Sequence, residues 1–107
     1  MRILITGASG YIGSRLSLFL SKQISCDVFA GSRQLESPLE WLPDIKISKT
    51  DWNDSSSLDV ATSDIDAIIH LAGMNAKDCT SNPTAALHAN RVATSKLIQA
   101  AIRQKVK

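Results

Sequence analysis

Cysteine is scarce in this sequence: Cys26 and Cys79 stand far apart, with no Cys-x-x-Cys spacing. Neither a zinc site nor a disulfide framework is indicated. Both thiols are expected to stay reduced, as in a cytoplasmic setting. Long apolar runs are missing too. Nowhere do about 18 apolar residues stand together, so no helical membrane span is expected. The apolar opening Ile3-Leu4-Ile5 is broken at once by Thr6-Gly7 and does not read as a secretory leader. Without secretion, Asn53-Asp54-Ser55 is a chance match to a glycosylation sequon. Charge of one sign is also lacking. Twelve Lys and Arg against ten Asp and Glu leave a net charge of +2, no electrostatic footprint for nucleic acid. The basic close Arg103-Gln104-Lys105-Val106-Lys107 reads as a solvated helix end, where cations suit the dipole.

What is present is ordinary for one small globular domain: 107 residues, 44% hydrophobic and 21% charged. Arg2 to Thr6 is a short aliphatic run ending at glycine, a buried strand. From Tyr11, the spacing of Ile12, Leu16, Phe19 and Leu20 predicts a helix to about Gln23. Cys26 to Ser32 is a second strand. Gln34 to Asp44, with Pro38 and Pro43, reads as loop, with Trp41 and Leu42 packing locally. Ile45 to Lys49 alternates as a third strand, and Asp54 with its serines supplies caps for a short helix. Asp66 to Ala72 is a fourth strand, apolar nearly throughout, with Asp64 and Asp66 as turn residues before it.

After Asn82-Pro83-Thr84 one long helix is predicted, with Ala93, Leu97, Ile98, Ala101 and Ile102 on its apolar stripe. Asn90 is expected on the buried side of that helix, in line with Leu97 and Ala101, and Lys96, Gln99 and Arg103 on the other face. This alternation is the signature of right-handed βαβ units in a doubly wound α/β domain with a parallel sheet. Residues 1–107 are expected to form the N-terminal part of one such domain, without a substrate domain.

The strongest local signal is Thr6-Gly7-Ala8-Ser9-Gly10-Tyr11-Ile12-Gly13, set between the first strand and the first helix. The first glycine allows a tight turn, the second lets a pyrophosphate approach the backbone, and the third permits close helix–sheet packing. The helix that follows points free N–H groups and the positive end of its dipole at phosphates. No Gly-Lys-Ser/Thr is present, which argues against a P-loop nucleotide triphosphatase.

The pattern T-G-x-x-G-x-x-G resembles the extended short-chain dehydrogenase/reductase family, which includes sugar-nucleotide epimerases and dehydratases. Three further motifs carry the resemblance. Asp51-Trp52 stands where that family places an aspartate and an apolar residue beside the adenine. Ile69-His70-Leu71-Ala72-Gly73 is similar to the fourth-strand motif that passes the cofactor's phosphates and nicotinamide ribose. Asn90-Arg91-Val92-Ala93-Thr94 is similar to N-x-x-G-T on the following helix, where the matching Asn helps organise the active-site edge. The four motifs span essentially the whole chain. Gly73 and Ala93 depart from the pattern as small-for-small changes.

The resemblance implies a Rossmann-type fold, incomplete, with about four strands in the order 3-2-1-4. It also implies a nicotinamide dinucleotide held by Gly7, Ser9, Gly10, Tyr11, Ile12, Gly13, Asp51, Trp52, Leu71, Ala72, Gly73 and Asn90.

NAD-binding sites of this type commonly carry a carboxylate at the end of the second strand, to accept bonds from the ribose hydroxyls. Here that place is taken by Ser32, followed by Arg33. A hydroxyl and a guanidinium suit a 2′-phosphate that a carboxylate would repel, so NADP is expected, with NAD second. His70, between Ile69 and Leu71, reads as a packed core or sheet-edge histidine rather than a base, and His88 as a surface residue.

Equally informative is a missing pair. Chemistry in the resembled family uses Tyr-x-x-x-Lys, the lysine lowering the phenol's pKa. The single tyrosine, Tyr11, is followed four positions on by Arg15. No catalytic residue is therefore assigned. The expected function is the NAD(P)-binding portion of a nucleoside-diphosphate-sugar epimerase, dehydratase or reductase, whose nucleotide-sugar substrate is bound only by an intact parent. A non-catalytic NADP(H)-sensing module is the alternative. A third is a glycine loop that holds some other mononucleotide. The fourth strand is expected as an open apolar edge, which predicts either a homodimer through that edge or poor solubility.

Overall fold

Strand β1 (Arg2–Thr6) organises the molecule because its side chains are buried on both faces. Ile3 and Ile5 point to one layer, with Ala8, Val28, Ala30 and Ile45, and Leu16 and Leu20 of the first helix pack against them. Leu4 points the other way, to Ala61, Ile65 and Leu97. Period-two alternation with both faces apolar is what a central strand covered by helices on each side requires. Leu4 and Ile5 are fully buried, and burial of such a side chain stabilises the fold by about 2 kcal/mol.

In this computed structural model residues 1–33 and 45–107 are described. β2 is Asp27–Ser32, β3 is Lys46–Lys49 and β4 is Ala67–His70. They form one parallel sheet in the order β3-β2-β1-β4. Leu4 pairs with Phe29 on one side and with Ile68 on the other. Helix α1 (Tyr11–Ser21) lies on one face; α2 (Ser55–Thr62) and α5 (Ala93–Arg103) lie on the other. The Rossmann-type half-sheet expected from the sequence is the fold observed. The loop read at Gln34–Asp44, with Trp41 and Leu42, lies outside the described residues.

Three expectations need correction. In α1, Ile12 and Phe19 are exposed, and the buried positions are Gly13 and Ser17. Small residues there bring the helix axis close to the loop and sheet, leaving the larger flanking side chains outside. In α5 the buried row is Ala93, Leu97 and Ala100, whereas Ile98 and Ile102 are exposed. Two apolar rows lie side by side on this helix, and periodicity alone does not say which one meets Leu4 and Ala61.

The third correction explains Asn90. The helix after Pro83 is not uniform. Helix α4 (Pro83–Leu87) runs into a π-helical turn (His88–Val92) before α5 begins. The extra residue in a π turn rotates what precedes it out of the 3.6-residue frame. Asn90 is therefore exposed rather than on the buried stripe. Helix α3 (Ala76–Ser81), which the sequence reading did not assign, is capped by Asn75, whose side chain accepts from the Asp78 N–H at 2.9 Å. Asn82 caps α4 in the same way through the Ala85 N–H at 3.0 Å.

Candidate functional site

At the carboxyl ends of β1, β2 and β4 a cleft of about 780 Å³ opens. Open parallel sheets bind ligands at this edge, where neighbouring crossovers leave to opposite faces. One wall is backbone. Gly7 has φ +71°, a left-handed conformation that favours glycine. A Cβ on Gly7 would lie 2.7 Å from the Ala72 nitrogen, so the loop and the end of β4 touch through backbone alone. A Cβ on Gly13 would lie 2.2 Å from the Gly7 carbonyl oxygen. The third glycine therefore lets the helix sit directly against its own loop. Gly10 is different: its nearest neighbour would be the Gly7 oxygen at 3.2 Å. It is the N-cap of α1, with no side-chain capping bond and no acidic residue in the first turn. That leaves helix-terminal N–H groups open to an anion.

The far side of the cleft is the exit of β4. Leu71, Ala72, Gly73 and Met74 line it. This segment is held by side chains from three elements. The Leu71 N–H donates to the Thr6 carbonyl at 3.1 Å, and the Ala72 N–H reaches the Thr6 hydroxyl at 3.4 Å. The Met74 N–H donates to Asn90 Oδ1 at 2.7 Å, while Asn90 Nδ2 donates to the Met74 carbonyl at 3.4 Å. His70 Nδ1 lies 2.6 Å from Thr6 Oγ1 and its Nε2 lies 2.9 Å from Thr94 Oγ1. The Trp52 ring meets the imidazole edge-on at 5.9 Å. Burial pushes the His70 pKa below its usual value. The reading of His70 as a packed residue at the sheet is what the structure shows.

Around the rim, Ser9, Gly10, Ser32, Arg33 and Trp52 line the cleft beside Gly7. Arg33 is exposed and Ser32 half-buried at the end of β2. Tyr11, Ile12, Gly13, Asp51 and Asn90 do not line it. Tyr11 stands out under the Arg15 guanidinium, 4.7 Å from its ring centroid. Asp51 closes the turn into α2, its carboxylate accepting from the Asn53 N–H at 2.9 Å.

Sequence reasoning missed Thr50, Asn53 and Met74, and also Ala85, His88 and Ala89 of the final helix. Only the neighbours of recognised motifs, Thr50 and Asn53 beside Asp51-Trp52 and Met74 after Gly73, carried any signal. His88 is exposed, as expected, but stands at the cleft. Among the described residues no cluster of His, Cys, Asp or Glu is arranged to hold a metal ion, and no helix is long and apolar enough to cross a membrane.

Comparison with known proteins gives the cleft its context. The NAD dependent epimerase/dehydratase family model matches residues 3–107. A dTDP-glucose 4,6-dehydratase of Mycolicibacterium smegmatis is 29% identical over 116 residues, covering 100% of this chain and 34% of the relative. The L-threonine dehydrogenase of Clostridium difficile superposes with a TM-score of 0.82 at 29% identity, over 99% of this chain and 34% of that one. MoeE5, solved in complex with UDP-glucose and NAD, superposes with a TM-score of 0.82 at 27% identity, over 99% and 34%. The chain thus spans about a third of the length of these relatives. Matched along nearly its whole length, this chain belongs to the NAD-dependent epimerase/dehydratase family.

Proposed function

We propose that this chain forms the dinucleotide-binding portion of an enzyme that epimerises, dehydrates or reduces a nucleoside-diphosphate sugar. The observation that carries the reading is the backbone cradle. Gly7 and Gly13 pack the loop where a Cβ would collide, Gly10 leaves the helix terminus open, and the β4 exit faces it. A pyrophosphate fits such a surface because N–H groups and the helix dipole meet its charge without competing side chains. The bound nicotinamide supplies a hydride donor or acceptor. This chain's own residues bind and orient, because its single tyrosine lacks the lysine partner that acid–base chemistry of this kind uses. The nucleotide-sugar substrate is supported by relatives such as MoeE5, seen with UDP-glucose.

NADP is the preferred dinucleotide in this reading. Ser32 and Arg33 line the cleft at the end of β2, where a carboxylate would favour the free ribose hydroxyls. A Cβ on the preceding Gly31 would meet Thr50 Cγ2 at 3.1 Å and Thr6 Cγ2 at 3.3 Å, so the approach to Ser32 is set by close packing. Fluorescence titration with NADPH and NADH in parallel tests both halves. Saturable binding favouring NADPH is expected, and Arg33→Asp should reverse the preference by about tenfold or more, the loss of one charge-assisted contact. Equal preference in both proteins would refute the role of Arg33. Failure to bind either dinucleotide would refute the function.

A further inference from the structure

One direction of hydrogen bonding satisfies all of the polar side chains behind the β4 exit. Thr94 Oγ1 lies 3.0 Å from the Asn90 carbonyl oxygen, which can only accept, so this bond is made when the Thr94 hydroxyl donates to it. Towards His70 Nε2, at 2.9 Å, Thr94 must then accept, which places the imidazole proton on Nε2. A neutral ring with Nε2–H leaves Nδ1 as an acceptor, so the Thr6 hydroxyl donates to it at 2.6 Å. The remaining lone pairs of Thr6 face the Ala72 N–H at 3.4 Å. The chain of bonds runs from the Ala72 N–H through Thr6, His70 and Thr94 to the Asn90 carbonyl. The Asn90 side chain then returns to the Met74 N–H at 2.7 Å.

The circuit therefore begins and ends on the same short segment. Ala72 and Met74 are cleft-lining, and a Cβ on Gly73 between them would lie 2.9 Å from Asn90 Oδ1, so that the Asn90 side chain would have to shift. His70 itself does not line the cleft. Putting a second proton on the ring would turn Nδ1 into a donor facing Thr6. The Thr6 hydroxyl proton, on a fully buried residue, would then need another acceptor.

We infer that His70, as the neutral Nε2–H tautomer, is a positioning residue for the dinucleotide. By closing this circuit it fixes the backbone of residues 72–74 against the glycine loop. The inference rests on the dinucleotide-binding reading above.

Its test uses the whole 107-residue chain labelled with ¹⁵N-histidine. Long-range imidazole spectra of the wild type should show His70 with its proton on Nε2 and a hydrogen-bonded, unprotonated Nδ1. Thr94→Val removes the acceptor and Thr6→Val the donor. Each should disturb that signature and raise the Kd for NADPH about tenfold, the loss expected when one buried hydrogen bond is left unmade. Thr94→Ser and Thr6→Ser keep the hydroxyls and should restore both. Circular dichroism identifies any variant that has merely unfolded, and the wild-type spectrum stands without the variants. A wild-type proton on Nδ1 overturns the inference. So do folded valine variants that bind NADPH as the wild type does. A wild type that binds neither NADPH nor NADH overturns the dinucleotide reading and this inference together.

Discussion

The two walls of the cleft are made of different material. The glycine-loop wall is backbone packed on backbone. Gly7 lies against Ala72 and Leu71, and Gly13 against Gly7 and Ala8, at distances that leave no room for a side chain. The β4 wall is also backbone, but it is held by side chains from elsewhere: Thr6 from β1, Thr94 from α5 and Asn90 from the π turn. A backbone-packed wall has a fixed shape and tolerates no side chain at its contact points, Gly7 and Gly13. A wall held by hydroxyls, an amide and an imidazole keeps its shape only while every partner is in the right protonation state and rotamer.

The largest effect should follow from breaking the first wall. Gly13→Ala places a methyl 2.2 Å from the Gly7 oxygen and 2.9 Å from the Ala8 Cα, contacts that cannot relax without moving the loop. A stability loss of about 3 kcal/mol is expected in urea denaturation, together with loss of NADPH binding. Gly10→Ala sharpens the contrast. Its methyl meets only the Gly7 oxygen, at 3.2 Å, so stability should fall by no more than about 1 kcal/mol. NADPH affinity should nevertheless drop by about tenfold, because a methyl at the helix terminus displaces the phosphate from its N–H donors. If Gly10→Ala binds normally, the pyrophosphate does not approach there.

The second wall should yield more gently. Asn90→Ala orphans the Met74 N–H, now bonded at 2.7 Å, and should cost about 1 kcal/mol with a measurable loss of NADPH affinity. Asn90→Asp keeps an acceptor for that N–H but sets a carboxylate oxygen where Nδ2 donated to the Met74 carbonyl and Cys79 Sγ at 3.4 Å each. It should recover part of the stability lost in Asn90→Ala. Equal losses in the two variants would show that the Met74 bond is not what holds the segment.

The same contrast explains what the sequence made legible. A backbone-packed wall writes itself into the chain as glycines at fixed spacing, because no other residue fits. The loop and the parallel α/β architecture follow from that spacing and from the βα alternation, and the strand order from the family resemblance. A wall held by distant side chains leaves no such trace. Thr6, His70 and the pair Asn90 and Thr94 stand in three separate motifs, and nothing in the sequence says that their side chains bond to one another. The π turn adds a difficulty: a 3.6-residue frame carried back from Leu97 puts Asn90 on the wrong face. The exposed Ile98 and Ile102 mislead for a related reason, since hydrophobicity marks two rows and only packing selects one. Helix α3 was within reach, because Asn75 three residues before Asp78 is a capping pattern.

The smallest predicted effect is the most specific to the second wall. Burial lowers the His70 pKa from 6.5, so the folded chain binds fewer protons than the unfolded chain just below that pH. Stability then rises with pH through this window. It is fully present above about pH 6.5 and is lost as pH falls through the lowered value. Asp54 gives a second acid step of the same sign but lower down. Its carboxyl is held below 3.8, chiefly by the Ser56 hydroxyl, with which it makes a 2.6 Å bond at the N-cap of α2. The His70 window opens below about pH 6.5 and the Asp54 window only below 3.8, so one denaturation series across pH meets them in that order. Between about pH 5 and 7, His70→Gln should flatten the wild-type slope while leaving the Asp54 step in place. A wild-type curve already flat over that interval would mean that the imidazole is no harder to protonate in the fold than in the unfolded chain. The β4 wall would then respond to pH no more than the glycine wall does.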